Sequence, residues 1–194
     1  MTADARSDAR WKGLAIALAI GCAAWFLYDT LIAARDPALD AQSAADRQFE
    51  DGRYERALAL YRERLLVEPA NAYALRGAAL SLMQLGRDAD ALAAFADAIA
   101  ADPGFAGAYA NRGILHDRMG DWQAAVADYE RALALDPEVA DAPHWLTLFL
   151  RNQPERPPGV ADRLAYLRQE LAKPEGERVL RMPELDQAQR PYQQ

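Results

Sequence analysis

"AYANRGILHDRMGDWQAAVADYERALALDP", residues 108 to 137, decides how this chain folds. Two helix-forming stretches meet at Gly120, and Pro137 stops the second. The second stretch shows Ala124, Ala125, Ala127, Ala132 and Ala134. Alanine buries few atoms, so a helix of this kind gains little from one deep core and gains instead by letting another backbone come close. The same punctuation recurs upstream. Gly52, Gly86 and Gly120 are spaced 34 residues apart, as are Ala57, Ala91 and Ala125, then Tyr61, Phe95 and Tyr129, and finally Pro69, Pro103 and Pro137. A glycine after one helix, an alanine at the close crossing, an aromatic one turn on and a proline at the stop describe a helix hairpin repeated in tandem.

These columns resemble the tetratricopeptide-repeat (TPR) family. The third copy carries Tyr109, Gly113, Gly120, Trp122, Ala125, Tyr129, Ala132 and Pro137 at family positions. The resemblance spans residues 38–139 as three repeats, with helices expected near 39–50, 54–67, 72–84, 88–100, 106–118 and 122–135. The expected fold class is therefore all-α: an N-terminal transmembrane helix, a solenoid of three hairpins, and a degenerate fourth capping hairpin. The first copy departs from the pattern at Ala41, Ala44 and Ala45, so its first helix is expected to pack shallowly.

The family resemblance implies a right-handed superhelix whose first helices line a concave, peptide-binding face. In the 34-residue register the inward positions include Gln42, Asp46, Phe49 and Glu50, then Tyr73, Arg76, Leu80, Met83 and Gln84, then Ala110, Ile114, Asp117 and Arg118. The expected partner groove consists of Phe49, Tyr73, Arg76, Leu80, Met83, Ile114 and Arg118. Its apolar middle, flanked by two arginines, suits a hydrophobic or mildly acidic segment of a partner protein. The competing expectation is that the chain's own C-terminal helices cover these side chains. The resemblance also sets one activity aside: the family's clamp for chaperone carboxylate tails uses Lys and Asn, whereas the matching positions hold Gln42, Asp46, Gly77, Gly107 and Asn111. Only Asn111 fits, and an aspartate there repels a terminal carboxylate.

Ahead of the repeats, "WKGLAIALAIGCAAWFLYDTLIAAR" carries no charge from Gly13 to Tyr28. A helix from Trp11 to Tyr28 reaches about 27 Å at ~1.5 Å per residue, close to a hydrocarbon core. This is the expected membrane anchor, residues 13–34, with residues 1–12 as a cytoplasmic segment. Arg6, Arg10 and Lys12 outweigh Arg35, which places the N-terminus in the cytoplasm and the repeats in a bacterial periplasm, on a single-pass inner-membrane protein. A cleaved signal peptide and a lipoprotein modified at Cys22 are the competing readings; the apolar run continuing through Tyr28, and Ala19 in place of a larger aliphatic, favour the uncleaved anchor. Gly13, Ala17 and Gly21 align small side chains that could face another transmembrane helix, although alanine-rich anchors produce such spacing by chance.

Beyond the repeats, residues 140–173 are expected to cap the solenoid. "DAPHWLTLFLRNQP" forms one helix and "GVADRLAYLRQELA" the other, with Leu146 and Leu150 against Val160, Leu164, Leu167 and Leu171. Residues 174–194 form a tail whose default is solvation, with Val179, Leu180 and Met182 as the segment able to dock on a surface.

The formal charge of −7 argues against a nucleic-acid footprint, and a single cysteine excludes an internal disulfide or a thiolate zinc cluster. His116 and His144 are the only histidines, and there is no phosphate loop or nucleophile elbow. No catalytic, cofactor-binding or metal-ligating residue is nominated. The expected function is a non-enzymatic, membrane-anchored scaffold that binds protein segments during assembly, maturation or secretion of envelope proteins. The alternative is a permanent accessory subunit of a membrane enzyme or transport complex.

Overall fold

A computed structural model describes residues 18–28, 37–140 and 159–181. The chain divides into two compact units, Met1–Ala41 and Gln42–Gln194. In the first unit, residues 18–28 form a helix, α1, whose side chains are all exposed, Trp25, Phe26 and Tyr28 among them. Among the described residues no helix is long and apolar enough to cross a membrane. The remainder of the expected 13–34 anchor, with Gly13 and Ala17, lies outside the described residues; Gly21 is on α1, where an added Cβ would meet nothing within 4 Å.

The repeats form six helices: α2 (Pro37–Glu50), α3 (Tyr54–Val67), α4 (Ala72–Gln84), α5 (Asp88–Ala101), α6 (Ala106–Met119) and α7 (Trp122–Leu135). A 3₁₀ turn (Pro137–Ala140) follows, and a later helix, α8 (Val160–Leu171), precedes a second 3₁₀ turn (Glu175–Glu177). The sequence places each repeat helix within two residues of these bounds. The first half of the expected fourth hairpin, with His144, Leu146 and Leu150, lies outside the described residues.

The glycine column ends every first helix in the same way. Gly52, Gly86 and Gly120 take φ values of 74°, 71° and 85°, the left-handed region that a Cβ disfavours. The following amides, of Arg53, Arg87 and Asp121, then turn back to the carbonyls of Gln48, Leu82 and His116, satisfying the helix C-terminus as a Schellman turn. Second helices stop differently: Glu68, Asp102 and Asp136 sit at the C-cap and the proline column follows. The Asp102 and Asp136 carboxylates accept from the amides of Gly104 and Glu138, which shapes the turn into the next element. Asp88 is the first residue of α5; the N-cap is Arg87, which pairs with Asp90.

Consecutive helices pack in sequence order from α3 to α8. Ala57, Ala91 and Ala125 are fully buried, as are Ala98 and Ala132 one further column along, so the backbones approach where alanine allows it. The tyrosine column uses glycine similarly. The Tyr61 ring lies over Gly77 of the next repeat, inside the space a Cβ would need, and the Tyr129 ring would lie 2.7 Å from a Cβ on Gly113. Ala45 and Phe49 of α2 are buried with α3 and α4 in one cluster, so the first helix packs more deeply than its alanines suggest.

Val160, Leu164 and Leu167 of α8 are buried. They join Ile114, Tyr129 and Val139 in the core of the third repeat. The apolar side chains at the end of the third repeat need a cover, and α8 supplies one.

Since these seats have no spare volume, Gly113→Ala and Ala125→Leu are each expected to destabilise the fold by roughly 1–3 kcal/mol through overpacking. Thermal melts followed by circular dichroism measure it; unchanged melting in both would show that the crossing is looser than this geometry.

Candidate functional site

The first helix of each repeat contributes one row to the inward face, and the rows differ in chemistry. At the first-repeat end the Asp46 carboxylate accepts hydrogen bonds from the Tyr61 hydroxyl at 2.5 Å and the Tyr73 hydroxyl at 3.0 Å. Arg76 lies beside them, its guanidinium carbon 4.8 Å from the Tyr73 ring centroid and 5.0 Å from that of Phe105. Burial pushes both phenols above their ordinary value, and the Asp46 carboxylate pushes the same way while Arg76 opposes. A phenol raised in the fold contributes stability below its unfolded value that is lost as pH rises through and beyond it. Unfolding free energy is therefore expected to fall as pH rises above about 10, the ordinary tyrosine value. Asp46→Asn should flatten that decline, as read from denaturant titrations between about pH 8 and 11.

The middle row is apolar and buried. Phe49, Leu80 and Met83 belong to the core of the first two repeats together with Phe95. On α4 every residue from Arg76 to Met83 is buried, so the helix has no open side there. Of the seven expected groove residues, Phe49, Arg76, Leu80, Met83 and Ile114 are buried, Tyr73 is half-buried and Arg118 is exposed. Arg76 thus does not flank an open patch; it lies within the face. Asn111, the one position matching the chaperone clamp, is fully buried and donates to the Gly107 carbonyl of its own helix at 2.8 Å.

At the third-repeat end α8 covers the face. Arg163 forms a two-pronged pair with Asp117, at 2.6 and 2.8 Å, with only 4% and 3% of the side chains exposed. The Tyr129 hydroxyl donates to Asp117 from below at 3.4 Å. A second pair, Arg112 with Asp128 at 2.8 and 2.6 Å, joins α6 to α7, and its carboxylate keeps the Arg112 guanidinium protonated above the ordinary range. His116 stands between carboxylates, 3.4 Å from Asp121 and 3.9 Å from Asp128.

The tail is docked. The Val179 amide donates to Glu170 at 2.8 Å, Tyr166 donates its hydroxyl to the Val179 carbonyl, and Arg163 donates to the Leu180 carbonyl at 3.1 Å. Leu180 packs against the third-repeat core, and Arg181 reaches the Arg118 carbonyl at 3.4 Å. Lys173, 2.6 Å from Glu170, and the Val179 amide hold that carboxyl below the usual range; Glu170 in turn raises Lys173. Among the described residues no group of three or more His, Cys, Asp or Glu side chains could hold a metal ion.

Sequence reasoning missed Arg163 as a core residue. Its signal is position: it sits between Val160 and Leu164 on the apolar stripe of α8, where a charge is buried only if paired. Arg163→Met leaves Asp117 charged and buried, and is expected to cost about 3–5 kcal/mol. Adding Asp117→Leu should recover most of that loss. Equal instability in the single and double variants, by denaturant unfolding, would mean the pair contributes through packing alone.

Hairpins of this geometry, stacked in 34-residue register, define a helical-repeat protein. Residues 43–104 and 106–139 both match the tetratricopeptide-repeat family, and the chain belongs to that family. No curated protein sequence matches it. Among solved structures it is similar to the first TPR domain of Spaghetti (RPAP3) bound to the HSP90 peptide SRMEEVD, with a TM-score of 0.55 and 23% identity over 70% of this chain and 94% of that one. The type III secretion translocator chaperone SycD of Yersinia enterocolitica gives a TM-score of 0.57 at 16% identity, over 72% of this chain and 98% of that one. MamA gives 0.50 at 18% identity, over 65% and 75%. At these identities the likeness is one of fold.

Proposed function

We propose that this protein is a non-enzymatic, membrane-anchored TPR scaffold that binds segments of other envelope proteins, with the repeats on the periplasmic side of the inner membrane. The repeat solenoid carries the reading, because stacked hairpins present a long, shaped surface of the kind that proteins dock on. Support also comes from fold likeness to a TPR domain captured with a peptide and to a secretion chaperone. The anchor rests on the uncharged run from Gly13 to Tyr28 and on the exposed apolar side chains all round α1, a distribution suited to lipid. The basic residues Arg6, Arg10 and Lys12 supply the orientation.

One observation favours the permanent-subunit alternative. With Leu80, Met83 and Ile114 buried, the face offers little open apolar area to a transient ligand, whereas Leu66 and Val67 at the end of α3 are 85% and 78% exposed. A stable neighbour would cover such positions.

Crosslinking and affinity purification of the full chain in mild detergent separate these readings. Under the scaffold reading, Arg118→Glu and Tyr73→Ala reduce partner recovery at least several-fold while helicity is retained, and a periplasm-dependent reporter fused after Gln194 is active. Recovery unaffected by both, but lost on Leu66→Asp, would assign the contact to the other face and to a lasting complex. Reporter activity confined to the cytoplasm would overturn the orientation.

A further inference from the structure

We propose that the cleft along α8 holding Val179–Arg181 is a binding site for an extended peptide segment, occupied here by the chain's own tail, and that a partner segment presenting a leucine followed by a basic residue displaces it. This goes beyond the scaffold reading: the site is built by α8 and the end of α6, and it stands or falls independently of the rest of the inward face.

The contacts are those of peptide recognition. Three side chains of α8, at positions 163, 166 and 170, lie on one stripe of the helix, and each meets a backbone group of the tail. Arg163 and Tyr166 donate to successive carbonyls, and Glu170 accepts from the Val179 amide. Recognition through the main chain tolerates different side chains, and the specificity falls to the apolar anchor, Leu180, at the third-repeat core, and to Arg181, which donates to the Arg118 carbonyl at 3.4 Å.

The site is also held in place by groups other than its occupant. Asp117 fixes the Arg163 guanidinium from the opposite side, and Lys173 fixes Glu170. Departure of the tail therefore leaves the Arg163 donor and the Glu170 acceptor held in place. With the tail in place Arg163 is 4% exposed and the Glu170 side chain 8%, so an incoming backbone that packs in the same way satisfies both groups again.

The occupant is held lightly. Val179 is 55% exposed, Arg181 is exposed, Leu180 is only partly buried, and residues 178–181 adopt no helix or strand of their own. Few buried apolar contacts mark a segment that opens well below the global unfolding free energy. What keeps it docked is tethering: it follows α8 directly, through the turn at Glu175–Glu177, so its effective concentration is on the order of millimolar.

The test compares the intact chain with one ending at Arg178, using a fluorescent peptide of residues 176–183 as the probe. The peptide should bind the shortened chain and bind the intact chain at least tenfold more weakly. The peptide variant Leu180→Asp should not bind, and Tyr166→Phe in the shortened chain should weaken binding several-fold. Equal binding to both chains, or none to a shortened chain that keeps its helicity, overturns the proposal. A measurement on the intact chain guards against misfolding of the shortened one: the Val179 amide should exchange with solvent at least tenfold faster than the Leu167 amide within α8. Equal protection makes the tail an inseparable part of the folded cap and also overturns the proposal. Loss of partner recovery on Tyr73→Ala with normal peptide displacement, or the reverse, distinguishes failure of the scaffold reading from failure of this one.

Discussion

Two tyrosine rings resting on glycine, Tyr61 on Gly77 and Tyr129 on Gly113, set the distance at which the helices of this solenoid stack. A methyl group at either glycine would occupy the ring's place, and protein interiors have no slack to absorb it. The alanine columns extend the same constraint along the stack, since fully buried alanines at 57, 91 and 125 bring second helices against first helices with only a methyl between them. Close approach substitutes for bulk. A chain with small side chains at its crossings buries its helices through backbone proximity and many short contacts rather than through a single large core.

The choice of tyrosine then dictates the polar layout of the inward face. A buried hydroxyl needs a partner. Tyr61 finds Asp46, and Tyr129 finds Asp117. These aspartates occupy two neighbouring positions of the repeat, one turn apart on their helices. In the middle repeat the aromatic is Phe95, which has no hydroxyl, and the corresponding two positions are Leu80 and Met83, both buried in the same cluster as the ring. Each carboxylate creates a further demand. Asp46 is met by a second phenol, from Tyr73, and Asp117 by Arg163 across the fold. The apolar middle of the face is accordingly core material for the middle repeat.

This explains what the sequence made legible. The six repeat helices and their ends follow from glycine, alanine, aromatic and proline columns, because each column has one local backbone or packing cause. The 34-residue register also names the inward side chains. It does not say what lies over them. Leu80 and Ile114 look like groove walls in the register, yet Ile114 belongs to a core completed by Leu164 and Leu167. The Asp117–Arg163 pair joins residues 46 positions apart, and no periodicity connects them. Docking of Leu180 was legible only as a short apolar run in a charged tail; that its backbone would be held by Arg163, Tyr166 and Glu170 depends on how α8 is rotated.

That rotation is the last consequence of ending a repeat array. The third repeat presents an apolar end, and α8 seals it with Val160, Leu164 and Leu167, while Asp162, Arg168 and Gln169 face solvent. A sealing helix with one apolar stripe would normally be polar on its remaining surface. On α8 the flank that meets the tail carries Arg163 and Glu170, both buried and both charged. The Arg163 charge is compensated by Asp117, and its Nη2 also donates to the Leu180 carbonyl of the tail. A cap satisfied by packing alone would not need that flank. Its presence ties the end of the solenoid to a stretch of extended backbone, and makes the identity of the chain supplying that backbone a question of competition rather than of folding.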